Sequence, residues 1–208
     1  MLKKIVVTGG GGYIGTNLVK KLISKGCIVT VIDTFWFGNY LKPNKNLKII
    51  KKDIRNISKK DIGNADCIIH LASIANDPAA ELDASLTWEV NVVATFKIIK
   101  LAIKQKIKKF IYASSGSVYG IKNEKKVTED LSLEPISEYN KSKMISERIL
   151  ISFNKYIDLT ILRPATVCGY SQSMRLDVAV NALTFDALKK KKITIFGGKQ
   201  IRPNLTMD

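Results

Sequence analysis

The sequence predicts an α/β fold, a doubly wound parallel sheet followed by the beginning of a smaller C-terminal domain. Short runs rich in β-branched residues alternate with stretches whose apolar residues recur at helical spacing. The short runs are almost continuously apolar, as expected for strands covered on both faces by helices. With 208 residues, 46% hydrophobic and 25% charged, the chain is long enough for a buried core and lacks the composition of a disordered protein.

The predicted elements follow one another in strand–helix order along the chain. The strands cover residues 5–8, 28–32, 47–50, 67–71, 110–113, 159–162 and 193–195. One helix follows the glycines near residue 12, and the other main helices cover residues 81–104, 139–154 and 178–190. A weak boundary after the sixth strand divides the chain into a first domain, residues 1–165, and the start of a second, residues 166–208.

The net charge of +16 at pH 7 does not by itself predict a nucleic-acid partner. Only five of the 34 basic residues are arginine, and the lysines are spread along the whole chain. This distribution is typical of a solvated surface, whereas recognition of bases requires more than charge. We therefore expect no nucleic-acid partner.

The cysteines, the histidine and the apolar runs argue against several further classes of protein. The three cysteines are far apart and form no Cys-x-x-Cys pair, which favours a reducing cytoplasm over a disulfide framework or a thiolate metal site. The single histidine, His70, argues against both a histidine metal site and a Ser-His-Asp hydrolase. No apolar run is long enough to span a membrane, and the first one is too short for an export signal.

A glycine-rich loop follows the first predicted strand. Gly9, Gly12 and Gly15 have the spacing G-x-x-G-x-x-G and precede a helix. A residue without a side chain lets the chain turn tightly, lets a diphosphate approach the backbone and lets the helix pack closely against the sheet. The free N–H groups at the helix N-terminus then favour phosphate. The loop predicts a dinucleotide site, that is, a fold of the Rossmann type.

An acidic residue follows at the distance that a dinucleotide site requires. Asp33 ends the second predicted strand, 18 residues after Gly15. A carboxylate there accepts hydrogen bonds from a ribose diol and repels a 2′-phosphate, so NAD is favoured over NADP. Asp53 and Ile54, after the third strand, are candidates for contact with adenine.

A tyrosine and a lysine form a second motif. Tyr139 and Lys143 are four residues apart, so on a helix both side chains lie on one face. A nearby ammonium group lowers the pKa of a phenol, which suits a tyrosine that exchanges protons. The serines of residues 114–117 follow the fifth predicted strand, at the sheet edge where ligands bind in open α/β folds. A serine hydroxyl there could hydrogen-bond a substrate oxygen.

These motifs resemble the extended short-chain dehydrogenase/reductase superfamily, and within it the NAD-dependent epimerases and dehydratases that act on nucleotide sugars. The matching segments extend over nearly the whole chain. They are residues 8–15, Asp33, residues 53–54, residues 70–73, Asn91, residues 114–120, 139–143, 162–164 and 202–208.

The resemblance implies a role for each matching residue. The residues implied in binding NAD are Gly9, Gly12, Tyr13, Ile14, Gly15, Asp33, Asp53, Ile54, Leu71, Ala72, Ser73, Asn91, Tyr139, Lys143 and Pro164. Tyr139 would be the general acid/base, Lys143 its electrostatic partner and Ser115 a contact to the substrate hydroxyl. Thr166 and Arg202 would also contact the nucleotide sugar, Arg202 at its diphosphate. No metal is implied.

The sequence also departs from the family pattern. Gly116 and Ser117 stand where nucleotide-sugar 4,6-dehydratases have an Asp-Glu pair, which favours epimerisation or ketosugar reduction over dehydration. Thr166, Cys168 and Thr206 differ from the residues common in relatives. Relatives extend well beyond this stretch and commonly form homodimers through two helices. We therefore expect a homodimeric cytoplasmic enzyme whose substrate domain is truncated here, with a catalytically idle NAD-binding module as the alternative.

Overall fold

A computed structural model describes residues 3–207 and confirms the predicted α/β class. Six parallel strands form one sheet in the order β3-β2-β1-β4-β5-β6. The strands are β1 (Lys4–Thr8), β2 (Ile28–Asp33), β3 (Leu47–Lys51), β4 (Cys67–His70), β5 (Lys109–Ala113) and β6 (Asp158–Leu162). This order places the reversal of the strand order between β1 and β4, at the crevice where ligands bind in doubly wound sheets.

Helices connect these strands. They are α1 (Tyr13–Ser24), α2 (Lys59–Ile62), α3 (Asp77–Leu82), α4 (Ala84–Trp88), α5 (Ala94–Lys104), α6 (Glu138–Ile151) and α7 (Ala179–Lys190). Short 3-10 turns lie at Ile54–Asn56 and Gly116–Tyr119. No helix within the described part of the chain combines the length and the apolar character that crossing a bilayer demands.

Two apolar layers cover the two faces of the sheet. Val6 of β1 belongs to a large cluster with Ile98 of α5 and Leu150 of α6. Its neighbour Val7 belongs to a second cluster with Val19 of α1. Successive residues of a strand point to opposite faces, so a strand buried on both sides must be apolar throughout. This is why the strands could be predicted from continuous apolar runs.

The predicted helix over residues 81–104 is interrupted in the structure. Asp83 has an extended backbone (φ −149°, ψ 91°) that separates α3 from α4, and its side chain caps α4 by accepting a hydrogen bond from Leu86 N. A π-helical turn, Glu89–Val93, then precedes α5. The wider turn places Asn91 in the interior, where it is 1% exposed. Local capping and a buried amide therefore divide a helix that the apolar spacing predicted as one.

The strand predicted at residues 193–195 is wrong. This segment has no regular structure, and Ile193 and Ile195 are exposed. Instead β7 (Thr166–Cys168) and β8 (Asn204–Thr206) form a separate parallel pair. An apolar run without a neighbouring strand has no partner for its backbone hydrogen bonds, so the pattern alone did not make it a strand.

Candidate functional site

The glycine loop is packed so closely that side chains are excluded at two positions. A Cβ on Gly9, whose φ is +72°, would lie 2.5 Å from Ala72 N. A Cβ on Gly15 would lie 2.3 Å from Gly9 O. Gly12 precedes α1 with an allowed φ of −78°, and a Cβ there would be 3.4 Å from Gly9 O. The loop thus leaves backbone N–H groups at the start of α1 open to an anion.

The carboxylate of Asp33 lies beside this loop. It accepts hydrogen bonds from Gly11 N (2.9 Å) and from Phe35 N (2.7 Å). Both donors are backbone groups of the two loops that face each other at the ends of β1 and β2. They orient the carboxylate and leave lone pairs of both oxygens available to a diol.

Asp53 and Ile54 differ in their surroundings. Asp53 accepts hydrogen bonds from the backbone and guanidinium of Arg55, which lower its pKa. Arg55 also pairs with Glu89 at 2.6 Å, which connects this turn to the π-helical turn. Ile54 is buried in the large apolar cluster. Its side chain therefore stabilises the core, and only its backbone is available at the sheet edge.

The segment after β4 supports the glycine loop. Leu71 N and Ala72 N both donate to Thr8 O, which places this segment directly under Gly9. The hydroxyl of Ser73 donates to Ile74 O. These residues thus lie along the crevice between β1 and β4.

The side-chain amide of Asn91 is hydrogen-bonded to groups inside the protein. Its Oδ1 accepts from Ile74 N (2.8 Å), and its Nδ2 donates to Ile74 O (3.1 Å) and to Ser142 Oγ (2.9 Å). The amide therefore joins the segment after β4 to α6. In this arrangement Asn91 positions the site and has no free donor for a ligand.

His70 is completely buried between two threonines. Nδ1 lies 2.6 Å from Thr8 Oγ1 and Nε2 lies 2.9 Å from Thr95 Oγ1. Burial, with a smaller contribution from the Lys143 charge, lowers the pKa of His70 to about 3. The imidazole is neutral at pH 7 and bridges β1 to α5, so it is not placed to activate a serine.

Ser115 and Tyr139 meet at the edge formed by β5 and α6. Ser115 caps the 3-10 turn, and its hydroxyl lies 2.7 Å from Ser117 Oγ. Ser117 in turn donates to Asn140 Oδ1, so a chain of hydroxyls leads back to α6. Burial raises the pKa of Tyr139. The Ser115 hydroxyl and the Arg175 guanidinium lower this pKa, but by less than burial raises it.

Lys143 lies one helical turn after Tyr139 and is 3% exposed. Its Nζ donates to Ala113 O at 2.9 Å and lies 5.9 Å from the centre of the Tyr139 ring. Burial lowers the pKa of Lys143 to about 7, and the Glu147 carboxylate opposes this. The expected lowering of the Tyr139 pKa is wrong for the chain by itself, because burial of the phenol raises that pKa.

The sequence analysis missed a buried ion pair behind Lys143. Glu147, on the next turn of α6, is 0% exposed and pairs with Arg163 at 2.7 Å. Arg163 also donates to Tyr119 Oη at 2.8 Å. The pair joins α6, the end of β6 and the turn that begins at Ser115. Glutamate four residues after Lys143 was the available signal, because residues at this spacing share a helix face.

Pro164 and Thr166 lie near this edge, whereas Arg202 is exposed. Pro164 O accepts from Gly116 N at 2.8 Å, which holds the Ser115 turn against the end of β6. Thr166 N donates to Pro203 O at 3.3 Å, at the start of the β7–β8 pair. The structure gives the Arg202 side chain no hydrogen bond or ion pair within residues 3–207, and the residue is solvent-exposed.

Tyr13 and Ile14 begin α1, where their backbone lies at the anion-binding end of the helix. The side chain of Ile14 is exposed. The side chain of Tyr13 is buried and hydrogen-bonded to the chain after β7, so its phenol is not available to phosphate. Any contact of Tyr13 with a diphosphate is therefore left to its backbone.

The family model described as NAD dependent epimerase/dehydratase matches residues 5–208. A Methanocaldococcus jannaschii protein, provisionally named UDP-glucose 4-epimerase, is 32% identical over 95% of this chain and 68% of its own length. The chain belongs to the NAD dependent epimerase/dehydratase family.

Solved structures of family members have the same fold. A NAD-dependent NDP-hexosamine 5,6-dehydratase of tunicamycin biosynthesis has a TM-score of 0.90 and 25% identity, over 99% of this chain and 68% of that one. UDP-glucuronic acid 4-epimerase from Bacillus cereus, solved with UDP-glucuronic acid and NAD, has a TM-score of 0.85 and 30% identity, over 98% and 69%. The chain thus spans about two thirds of each of these proteins.

Family membership confirms the predicted cofactor class and the prediction of an enzyme family. The described residues fit NAD on their own geometry, because the close backbone packing at Gly9 and Gly15 forms a cradle of backbone N–H groups at the start of α1. The carboxylate of Asp33 stands beside that cradle. Among residues 3–207, no group of three or more His, Cys, Asp or Glu side chains could hold a metal ion.

Proposed function

We propose that this protein is a NAD-dependent nucleotide-sugar epimerase or ketosugar reductase, with Ser115, Tyr139 and Lys143 at the reacting sugar carbon. The observation that supports this most strongly is the convergence of these three side chains at the end of β5 and the start of α6, beside the glycine crevice. Gly116 and Ser117 in place of an acidic pair favour epimerisation or reduction over dehydration.

Each of the three side chains has a distinct part in the proposed reaction. NAD, when bound, supplies the acceptor and donor of the hydride. Tyr139 takes the proton of a sugar hydroxyl at its phenol oxygen and returns it later. Ser115 Oγ holds the same sugar oxygen in place, and the Lys143 ammonium favours the phenolate. An epimerase transfers the hydride twice, whereas a reductase stops after one transfer.

The proposed cofactor contacts follow the crevice between β1 and β4. The backbone of residues 9–15 holds the diphosphate, Asp33 holds the adenosine ribose, and residues 53–54 lie at the adenine end. Residues 71–73 and Pro164 lie along the nicotinamide end. Lys143, whose Nζ donates to Ala113 O at the end of β5, would hold the nicotinamide ribose as well. Asn91 acts indirectly, by fixing Ile74 against α6.

The substrate end and the assembly of the protein are part of the same proposal. Thr166 lies at the substrate end, and Arg202 would reach the diphosphate from the exposed end of the chain. Residues 1–165 form the cofactor domain and residues 166–208 begin the substrate domain. We further propose a cytoplasmic homodimer, consistent with three free cysteines, and analytical ultracentrifugation would measure its mass.

Turnover of UDP-sugars tests the catalytic part of the proposal. UDP-glucose and UDP-glucuronic acid are incubated with protein and NAD, and products are separated by chromatography. We expect conversion by the wild type and a loss of about 10²-fold or more in Tyr139→Phe, because the phenol that exchanges the proton is gone. Tyr156→Phe is the control, since Tyr156 is exposed and distant from the crevice in sequence. Equal rates in wild type and Tyr139→Phe would refute the assigned role, and a 4-keto-6-deoxy product from UDP-glucose would favour dehydration.

Thermal melting with NAD, with NADP and with neither tests the cofactor site separately. Saturating NAD should raise the melting temperature by several degrees, since ligand at about 100 times Kd stabilises by about 2.7 kcal/mol. NADP should do so less, because Asp33 repels its 2′-phosphate.

A pair of glycine variants makes this test specific to the loop. Gly15→Ala should destabilise the protein by about 1–3 kcal/mol and abolish the NAD shift, because its Cβ would overlap Gly9 O. Gly12→Ala, whose Cβ makes an ordinary contact, should keep the stability and weaken only the NAD shift. Equal melting temperatures for the two variants would contradict this interpretation of the loop.

A catalytically idle NAD-binding module is the second candidate function. It is supported by the chain spanning about two thirds of its solved relatives. Stabilisation by NAD without conversion of either UDP-sugar would favour it over the enzyme.

A further inference from the structure

The chain after β7 folds back onto the start of α1, and Tyr13 is the centre of the contact. Its hydroxyl donates to Gly169 O at 2.8 Å and accepts from Asn181 Nδ2 at 3.0 Å. Tyr13 and Asn181 are each 6% exposed. Two elements that are 168 residues apart in sequence therefore share one buried hydroxyl.

Two further hydrogen bonds fasten the same segment. The hydroxyl of Ser171 donates to Tyr13 O at 2.8 Å, and Asn17 Nδ2 donates to Tyr170 O at 2.9 Å. Gly169 has a φ of +118°, which lets the chain turn at the point of contact. We call residues 169–181 the return segment.

Asn181 extends the contact to an arginine within the return segment. Its Oδ1 accepts from Gly169 N at 3.0 Å, and its Nδ2 also donates to Arg175 O at 3.0 Å. The Arg175 guanidinium is held by Asp177, which in turn accepts from Asn76 Nδ2. Arg175 is thus fixed both at its backbone and at its tip. The residue after Asn76, Asp77, accepts from Ser137 Oγ at 2.6 Å, and Ser137 caps α6 two residues before Tyr139. These contacts place the Arg175–Asp177 pair near the Tyr139 end of α6, and the Arg175 charge lowers the pKa of Tyr139.

We propose that Tyr13 is a positioning residue, whose buried hydroxyl acts through Asn181 to hold Arg175 at the Tyr139 end of the site. The proposal deepens the proposed function, because it gives Arg175 a place beside the sugar-nucleotide substrate.

The hydroxyl is the part of Tyr13 that this role requires. Phenylalanine would fill the same apolar space, but Gly169 O and Asn181 Nδ2 would each lose a buried partner. A buried polar group left without a hydrogen bond is destabilising, so the return segment should loosen while the ring remains in place. Tyr13→Phe therefore separates the hydroxyl from the packing.

Hydrogen exchange followed by mass spectrometry tests the positioning without any ligand. In Tyr13→Phe, the amides of the return segment should exchange on the order of 10-fold faster than in wild type, with those of α5 unchanged. Tyr156→Phe is the matched control, since the Tyr156 side chain is exposed. Unchanged exchange in the return segment of Tyr13→Phe would overturn the proposal.

Binding of UDP-glucose to the NAD-loaded protein, measured by calorimetry, tests the route through Arg175. Tyr13→Phe and Arg175→Met should each weaken binding by about 10-fold, and the double variant should be no weaker than Arg175→Met, since one residue acts through the other. The matched control Tyr156→Phe should bind UDP-glucose as tightly as wild type does, since the Tyr156 side chain is exposed.

The outcomes of the two experiments are separable. Additive losses in the double variant would mean that Tyr13 does not act through Arg175, and the proposal would be wrong. If wild type does not bind UDP-glucose at all, the proposed substrate is wrong, and the exchange of the peptide that contains Arg175 alone decides the role of Tyr13.

Discussion

The cofactor half of the molecule, β1 to β4, and the chain after β6 both contain apolar runs, but the runs of the cofactor half form strands of a sheet and the later one does not. In β1 to β4, apolar runs predicted four strands, and each occurs within a residue or two of its predicted bounds. After Leu162, the apolar run at residues 193–195 is exposed and irregular, while β7 and β8 pair at residues that no apolar run marked. The two regions differ in whether a covering layer is present.

An apolar run predicts a strand reliably where helical layers cover it. In the cofactor half β1, β2 and β4 lie between two helical layers, so most of their apolar residues are buried. In the later region the side chains of Ile195, Phe196 and Ile201 are 69%, 82% and 98% exposed. The same residue types therefore contribute to stability in the first region and very little in the second.

The largest expected effect comes from a comparison of two isoleucines, one from each region. Ile68→Ala, in the centre of β4, should lower the free energy of unfolding by about 2–5 kcal/mol, because it leaves a cavity in a site that is 0% exposed. Ile201→Ala should change it by less than about 0.5 kcal/mol. Urea unfolding followed by circular dichroism measures both. Similar losses for the two variants would mean that residue 201 is covered in solution.

A second prediction concerns the junction of the two regions, where Glu147 and Arg163 pair. Glu147→Gln should destabilise the protein by about 3 kcal/mol, because it leaves the largely buried guanidinium without a counter-charge. Asp158→Asn removes one partner of the exposed pair with Lys109 and should cost less than about 1 kcal/mol. Urea unfolding of both variants at one pH measures the difference, and equal costs would show that burial does not distinguish the pairs.

The smallest expected effect concerns His70 in the cofactor half. The pKa is about 3 in the folded chain and near 6.5 when unfolded, so only the unfolded chain takes up a proton between these values. Stability contributed by neutral His70 is therefore present above pH 6.5 and lost as the pH falls. The loss should reach about 2 kcal/mol by about pH 5.

His70→Gln provides the control, because its side chain can still hydrogen-bond the two threonines but does not titrate. Urea unfolding at several pH values should show a flatter dependence in this variant than in wild type. An identical slope in both proteins would show that His70 is not the group responsible.

Much of the candidate site was predictable because it depends on spacing within one element. Gly9 and Gly15 were found from their separation, and Tyr139 and Lys143 from their positions on one helical face. Glu147 shares that face and was missed, because its importance depends on Arg163, which arrives from β6. The pKa of Tyr139 was predicted in the wrong direction, since burial cannot be inferred from a four-residue spacing.

The local sequence was sufficient to predict the order of strands and helices along the chain, the glycine cradle and the placement of the tyrosine and lysine on one helix face. These depend on backbone geometry and on periodicities of two and 3.6 residues, which neighbouring residues specify. Long-range packing, in contrast, sets three features: the contact of Tyr13 with the return segment, the internal hydrogen bonds of Asn91, and the lack of a strand at residues 193–195. Each of these depends on which distant group arrives to satisfy a buried polar atom, and nothing in the local chain encodes that partner.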